Sequence, residues 1–250
     1  LAFYDALGIN LDWFFDQWLH RGGEPHFEIE ERVNEKSISL IIEQVQEIDD
    51  WNGYITMPTV VEVYYKNDSI ARFPITLKGK SDTLTIPKKK GRAVSFILFD
   101  PGNTILKSVD YPKEEETLYR QLAKAEQMID RYAALKALRS VEPSNVKLKA
   151  LAQVLQNESF YAMRAEAVNQ IADDDSDKAG KTLLTCFSDH HHLVRREALT
   201  SMRSTDREAK KVVIKLLEDS SYTNIELALN WLMHNYPSDS SKYFNMVKGL

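Results

Sequence analysis

Three consecutive histidines, His190, His191 and His192, follow Asp189 and are the nearest approach this chain of 250 residues makes to a metal-binding pattern. Two histidines on one helical face need a spacing of three or four, because adjacent helical residues point about 100° apart. No second ligand cluster lies nearby in the sequence, so the run reads as a solvated turn. Arginines at 131, 164 and 195 recur 33 and then 31 residues apart and could form a binding ladder. Recurrence at a repeat period is explained as well by architecture, each Arg bridging to a carboxylate of the neighbouring unit, with Glu166 and Glu197 placed for it. That structural role is the one expected. A basic run from Lys78 to Arg92 contains Lys80, Lys88, Lys89 and Lys90. Lysines beside strand edges discourage edge-to-edge pairing, and this reading is preferred to a nucleic-acid site.

Signatures of catalysis are missing. The chain has no HExxH helix, no G-x-S-x-G elbow, no P-loop and no G-x-G-x-x-G. No catalytic, cofactor-binding or metal-ligating residue is therefore assigned. A formal net charge of −5 lacks the concentrated basic surface that a nucleic-acid partner needs. Hydrophobic residues at 43% and charged residues at 28% describe a soluble globular chain without a membrane span. The single cysteine, Cys186, sits among Leu183, Leu184 and Phe187 and reads as a small core residue. Compartment stays open between cytoplasm and export.

The elements that would carry these residues change type along the chain. Phe3, Leu7, Leu11, Phe14, Phe15, Trp18 and Leu19 fall three and four apart, which predicts a helical face over residues 1–20. From Pro25 to Asp110 the period becomes two, as in Ile38-Leu40-Ile42, Val61-Val63-Tyr65 and Ala71-Phe73-Ile75-Leu77. Roughly seven short strands with turns every ~8–12 residues predict an immunoglobulin-like antiparallel β-sandwich. Pro74 marks an edge strand or one that changes sheets. After Tyr111-Pro112, three glutamates open a helical region that runs to the end. Within it Asp130–Leu135, Met163–Val168 and Val194–Leu199 superpose, and Asn224–Leu229 is a weaker copy without the Arg. Paired helices at this period predict a HEAT-like solenoid. The expected division is 1–23 helical, 24–111 sandwich and 112–250 helical repeats.

Phe14-Phe15-Asp16-Gln17-Trp18-Leu19, then Gly23-Glu24-Pro25 and Phe27-Glu28-Ile29, resemble the place where aminopeptidase N-type zinc metallopeptidases leave their thermolysin-like catalytic domain. Asp100-Pro101, Gln121-Leu122, Ala125, Arg131, Ala134 and Leu135 continue the resemblance in the same order. The resemblance implies that residues 1–23 are the end of a catalytic domain otherwise missing here, and that the chain is the non-catalytic C-terminal region of a larger enzyme. The zinc, its ligands and the general base would lie upstream, so zinc is a cofactor of the parent protein and none is expected in this chain. The implied partners are the upstream catalytic domain and the peptide substrates of that parent. Two other readings remain open: a protein-binding scaffold region of a non-catalytic relative, and an unrelated HEAT adaptor fused to a sandwich.

Overall fold

The computed structural model of the chain describes residues 2–249, without the side chains of Ala2, Phe3 and Leu7. Phe3 and Leu7 of the expected apolar face therefore lie outside the described residues. The helical opening forms as two pieces, α1 (Ala2–Leu7) and α2 (Asp12–Leu19). Gly8 at φ +67° breaks the helix after Leu7, and the Asn10 side chain accepts from the Asp12 N–H at 2.7 Å where the chain restarts. Glycine takes that left-handed conformation without the penalty a Cβ would bring.

Seven strands follow: β1 (His26–Val33), β2 (Ser37–Gln44), β3 (Thr56–Tyr65), β4 (Ile70–Lys78), β5 (Ser81–Pro87), β6 (Val94–Phe99) and β7 (Ser108–Asp110). They form a four-stranded sheet in the order β5-β2-β1-β7 and a three-stranded sheet in the order β4-β3-β6. Every pairing is antiparallel except that of β7 with β1. Alternation sends one row of each strand inward, so Phe27, Leu40 and Ile42 from one sheet share a core with Val61, Val63 and Ile97 from the other. Pro74 lies in β4, opposite Val60 and on the outer edge of its sheet, where a missing N–H costs no ladder bond.

Eleven α-helices are described: α1 and α2, then α3 (Glu115–Lys124), α4 (Met128–Ala137), α5 (Asn145–Asn157), α6 (Tyr161–Ile171), α7 (Asp177–Thr185), α8 (His192–Ser201), α9 (Arg207–Lys215), α10 (Tyr222–Asn235) and α11 (Ser240–Val247). Compact units run from Leu1 to Arg131 and from Tyr132 to Leu250. This division by compactness is distinct from the division by element type expected at 23/24 and 111/112. Secondary structure does change after β7, but α3 stays with the sandwich because Lys113 Nζ donates to Ile97 O at 2.7 Å and Arg120 to Ser95 O at 3.2 Å. Ala125 also completes a small apolar cluster with Tyr64, Phe96 and Leu98.

In the second unit, α5 with α6, α7 with α8 and α9 with α10 make successive helix pairs. Ala134, Ala167, Ala198 and Ala228 recur at one repeat position and are all buried, which lets neighbouring helices approach closely. Polar caps start the first helix of each pair: Ser144 accepts from Lys147 N, Ser176 from Ala179 N and Asp206 from Ala209 N.

Candidate functional site

Histidines 190–192 enter α8 from the preceding turn, and His190 and His191 each bond through one ring nitrogen there. His191 Nδ1 accepts from Leu193 N at 3.3 Å and so caps α8. Its ring stacks on Tyr161 with centroids 4.0 Å apart and on His192 at 4.8 Å. His190 Nε2 lies 3.0 Å from Arg164 Nη2, a group that can only donate. Partial burial and the neighbouring His192 and Arg164 charges lower the His191 pKa. No three His, Cys, Asp or Glu side chains converge on a metal-sized space among the described residues.

Arginines 164 and 195 join consecutive repeats, but through aspartates rather than the expected Glu166 and Glu197. Arg164 holds Asp189 in a bidentate pair at 2.8 and 3.0 Å, and Arg195 holds Asp219 at 2.6 and 2.7 Å. The other guanidinium nitrogen turns back to the loop before its own helix: Arg164 donates to Glu158 O and Ser159 O, and Arg195 to Asp189 O. Arg131 makes the corresponding contacts to Ala125 O and Glu126 O. The aspartates win because each lies at the turn that abuts the preceding repeat, and each also accepts a backbone N–H, His191 N for Asp189 and Ser221 N for Asp219. Burial pushes both carboxyls up, yet the arginine and amide bonds outweigh it and hold them below the usual carboxylate range. Glu166 pairs with Arg139 instead, and Glu197 accepts from Asn169 and Ser201. A sequence signal for the aspartates existed: Asp189 stands six residues before Arg195, and Asp219 six before Ile225 at the same repeat position.

Lys78 and Lys80 flank the β4–β5 turn, while Lys88, Lys89 and Lys90 follow β5, an edge strand of its sheet. A cleft of about 1540 Å³ in the sandwich unit is lined by Lys88, Arg92 and Arg120 but equally by Glu28, Glu30 and Glu114. That mixture of signs is not a phosphate-directed surface. At its rim burial lowers the Lys113 pKa to about 8. Cys186 is buried, and burial raises its thiol to about 11, so it is an unreactive core group.

The aromatic opening is part docked and part exposed. Gln17 pairs with the Thr56 backbone in both directions, donating to Thr56 O at 3.0 Å and accepting from Thr56 N at 2.6 Å, which ties α2 to the start of β3. Trp13, Phe14 and Leu19 remain exposed at 37%, 41% and 69%, an apolar face of the kind that marks contact surfaces. No helix among the described residues is long and apolar enough to cross a membrane.

Residues 148–232, from α5 to α10, match the HEAT-repeat family. The chain is thus a β domain followed by a helical repeat region. Among solved structures, aminopeptidase A of Legionella pneumophila, crystallised in complex with aspartic acid, is similar over 97% of this chain at a TM-score of 0.64 and 15% identity. At that identity the likeness is one of fold, and this chain covers 35% of that protein. No curated protein sequence matches it.

Proposed function

We propose that the chain is the accessory C-terminal region of a zinc aminopeptidase, an immunoglobulin-like sandwich and HEAT-like solenoid that brace a catalytic domain and help enclose its peptide-substrate chamber. One observation carries the reading: nearly the whole chain, 97%, has the fold of part of an aminopeptidase. The exposed Trp13, Phe14 and Leu19 support it as a surface for further helices of such a domain. Zinc would be held by residues outside this chain, since its histidine turn is bonded internally. The HEAT match over 148–232 favours a second reading, a protein-binding scaffold in a non-catalytic relative.

The test uses the chain alone and the longer protein encoded by the same gene. Zinc content and hydrolysis of aminoacyl-coumarin amides are measured for both. An active, zinc-loaded longer protein beside an inactive residue 1–250 chain is the expected result. A longer protein that neither binds zinc nor turns over substrate selects the scaffold, and hydrolysis by residues 1–250 alone overturns both.

A further inference from the structure

We propose that the turn Asp189–His192 is a pH-sensitive joint between the helix pairs α5–α6 and α7–α8, closed when His191 is neutral and loosened when it is protonated. The state of the joint depends on which atoms can accept a hydrogen bond. Arg164 cannot accept, so its 3.0 Å contact requires a lone pair on His190 Nε2. Leu193 N–H cannot accept either, so the 3.3 Å cap requires a lone pair on His191 Nδ1. A proton on either nitrogen sets donor against donor.

The surrounding charges decide how that conflict resolves. Arg164 faces the turn from α6, and Arg195 from α8 through Asp189 O. His190, His191 and His192 add up to three positive charges on protonation, next to the N-terminus of α8, where the helix dipole already disfavours cations. Against them stands Asp189, committed to both Arg164 nitrogens and to His191 N, with His190 Nδ1 at 3.6 Å. Asp219 is occupied by Arg195, and Tyr161 offers only its ring face. His190 can swing into solvent, being exposed, but His191 cannot leave without losing both its cap and its stack on Tyr161. The lowered pKa of His191 agrees in sign. A histidine depressed in the folded state takes up more protons when unfolded, so its stabilisation is full above its ordinary pKa of 6.5 and is lost as pH falls below it.

The double substitution His190→Gln with His191→Asn keeps an acceptor at each position and removes the His191 titration, asparagine being a strong helix cap. Amide exchange of Leu193, Val194 and Arg195, corrected for intrinsic rate, is read at pH 7.5 and 5.5 in the wild-type chain and the variant. Wild-type protection is expected to fall roughly fivefold at the lower pH, the equivalent of one lost cap bond, while the variant stays level. Equal pH responses in the two proteins would falsify the joint. A second readout needs no variant: in the wild type, nitrogen shifts of His191 should show Nδ1 unprotonated at pH 7.5 and gaining its proton together with the loss of Leu193 protection. Protonation without any change at Leu193 overturns the proposal.

Discussion

Replacing Arg164 by Met tests the inter-repeat ladder where it is most enclosed. The Arg164 side chain is 2% exposed and Asp189 12%. Methionine keeps most of the aliphatic stem, so the loss is chiefly that of the guanidinium: two bonds to Asp189 and those to Glu158 O and Ser159 O. Asp189 would keep only its bond from His191 N and a distant histidine, leaving a largely buried carboxylate without its cation. Breaking one partner of such a pair costs about 3–5 kcal/mol, and the lower end is expected here because Asp189 retains some exposure. Asp189→Asn should cost less, since Arg164 keeps its carbonyl acceptors. The double variant should be less destabilised than the sum of the two singles by about 1–2 kcal/mol, because the pair is removed as a unit. Arg203→Ala is the control: its bridges to Asp173 and Asp175 are exposed at both ends, and such pairs contribute about 0–1 kcal/mol. With two compact units a single unfolding transition is not assumed. Native-state exchange of the Met163–Val168 amides, with urea titration followed by circular dichroism, reads the helical unit directly. A cost for Arg164→Met no larger than that for Arg203→Ala, or strict additivity of the two singles, refutes the ladder as a source of stability.

Two further outcomes are expected. Gln17→Leu removes both bonds to Thr56, and exchange at the Thr56 amide should quicken while the central β3 amides keep their protection; an unchanged Thr56 would show that α2 is held by packing alone. Lys113, lowered to about 8 from an ordinary 10.5, holds fewer protons folded than unfolded between those values, so stability should rise from about pH 8 to pH 10. Above that, the burial-raised Tyr111 hydroxyl reverses the slope, because unfolding then releases its proton. Urea midpoints of the wild type and Lys113→Met across this range check the sign: a flat wild type, or a variant that rises equally, removes Lys113 as the cause.

Periodicity carried much of the fold. The period of two in Ile38–Ile42 and Val61–Tyr65, and the recurring Arg and Ala of α6 and α8, are direct imprints of sheet pleat and helix turn, and the strands and helix pairs formed over them. Contacts chosen by three-dimensional neighbourhood were less visible. Glu166 sits two residues after Arg164 in the sequence and looked like a natural carboxylate for the ladder, but the helix carries it toward Arg139. Gln17, one polar residue in an aromatic stretch, gives no sequence sign that its amide will complete the backbone of Thr56, 39 positions away. Compactness is less visible in the sequence than element type for a related reason. Composition changes at Tyr111, whereas compactness depends on Lys113, Arg120 and Ala125 reaching back to β6 and its neighbours.

The ladder also has a direction. Arg164 and Arg195 each reach forward to the aspartate of the following turn, and Ile225 occupies the arginine's place in the last copy, so the donor half is dropped there while Asp219 still receives Arg195. The module from Asp189 to Glu218 thus carries an acceptor at its head and a donor six residues later, a matched plug and socket. Duplicating residues 189–218 in tandem would give the new Arg195 copy an aspartate ahead of it and the new Asp189 copy an arginine behind it. The solenoid is therefore built to lengthen or shorten by whole modules without stranding a charge, whereas an insertion that breaks the six-residue offset would orphan one at each end.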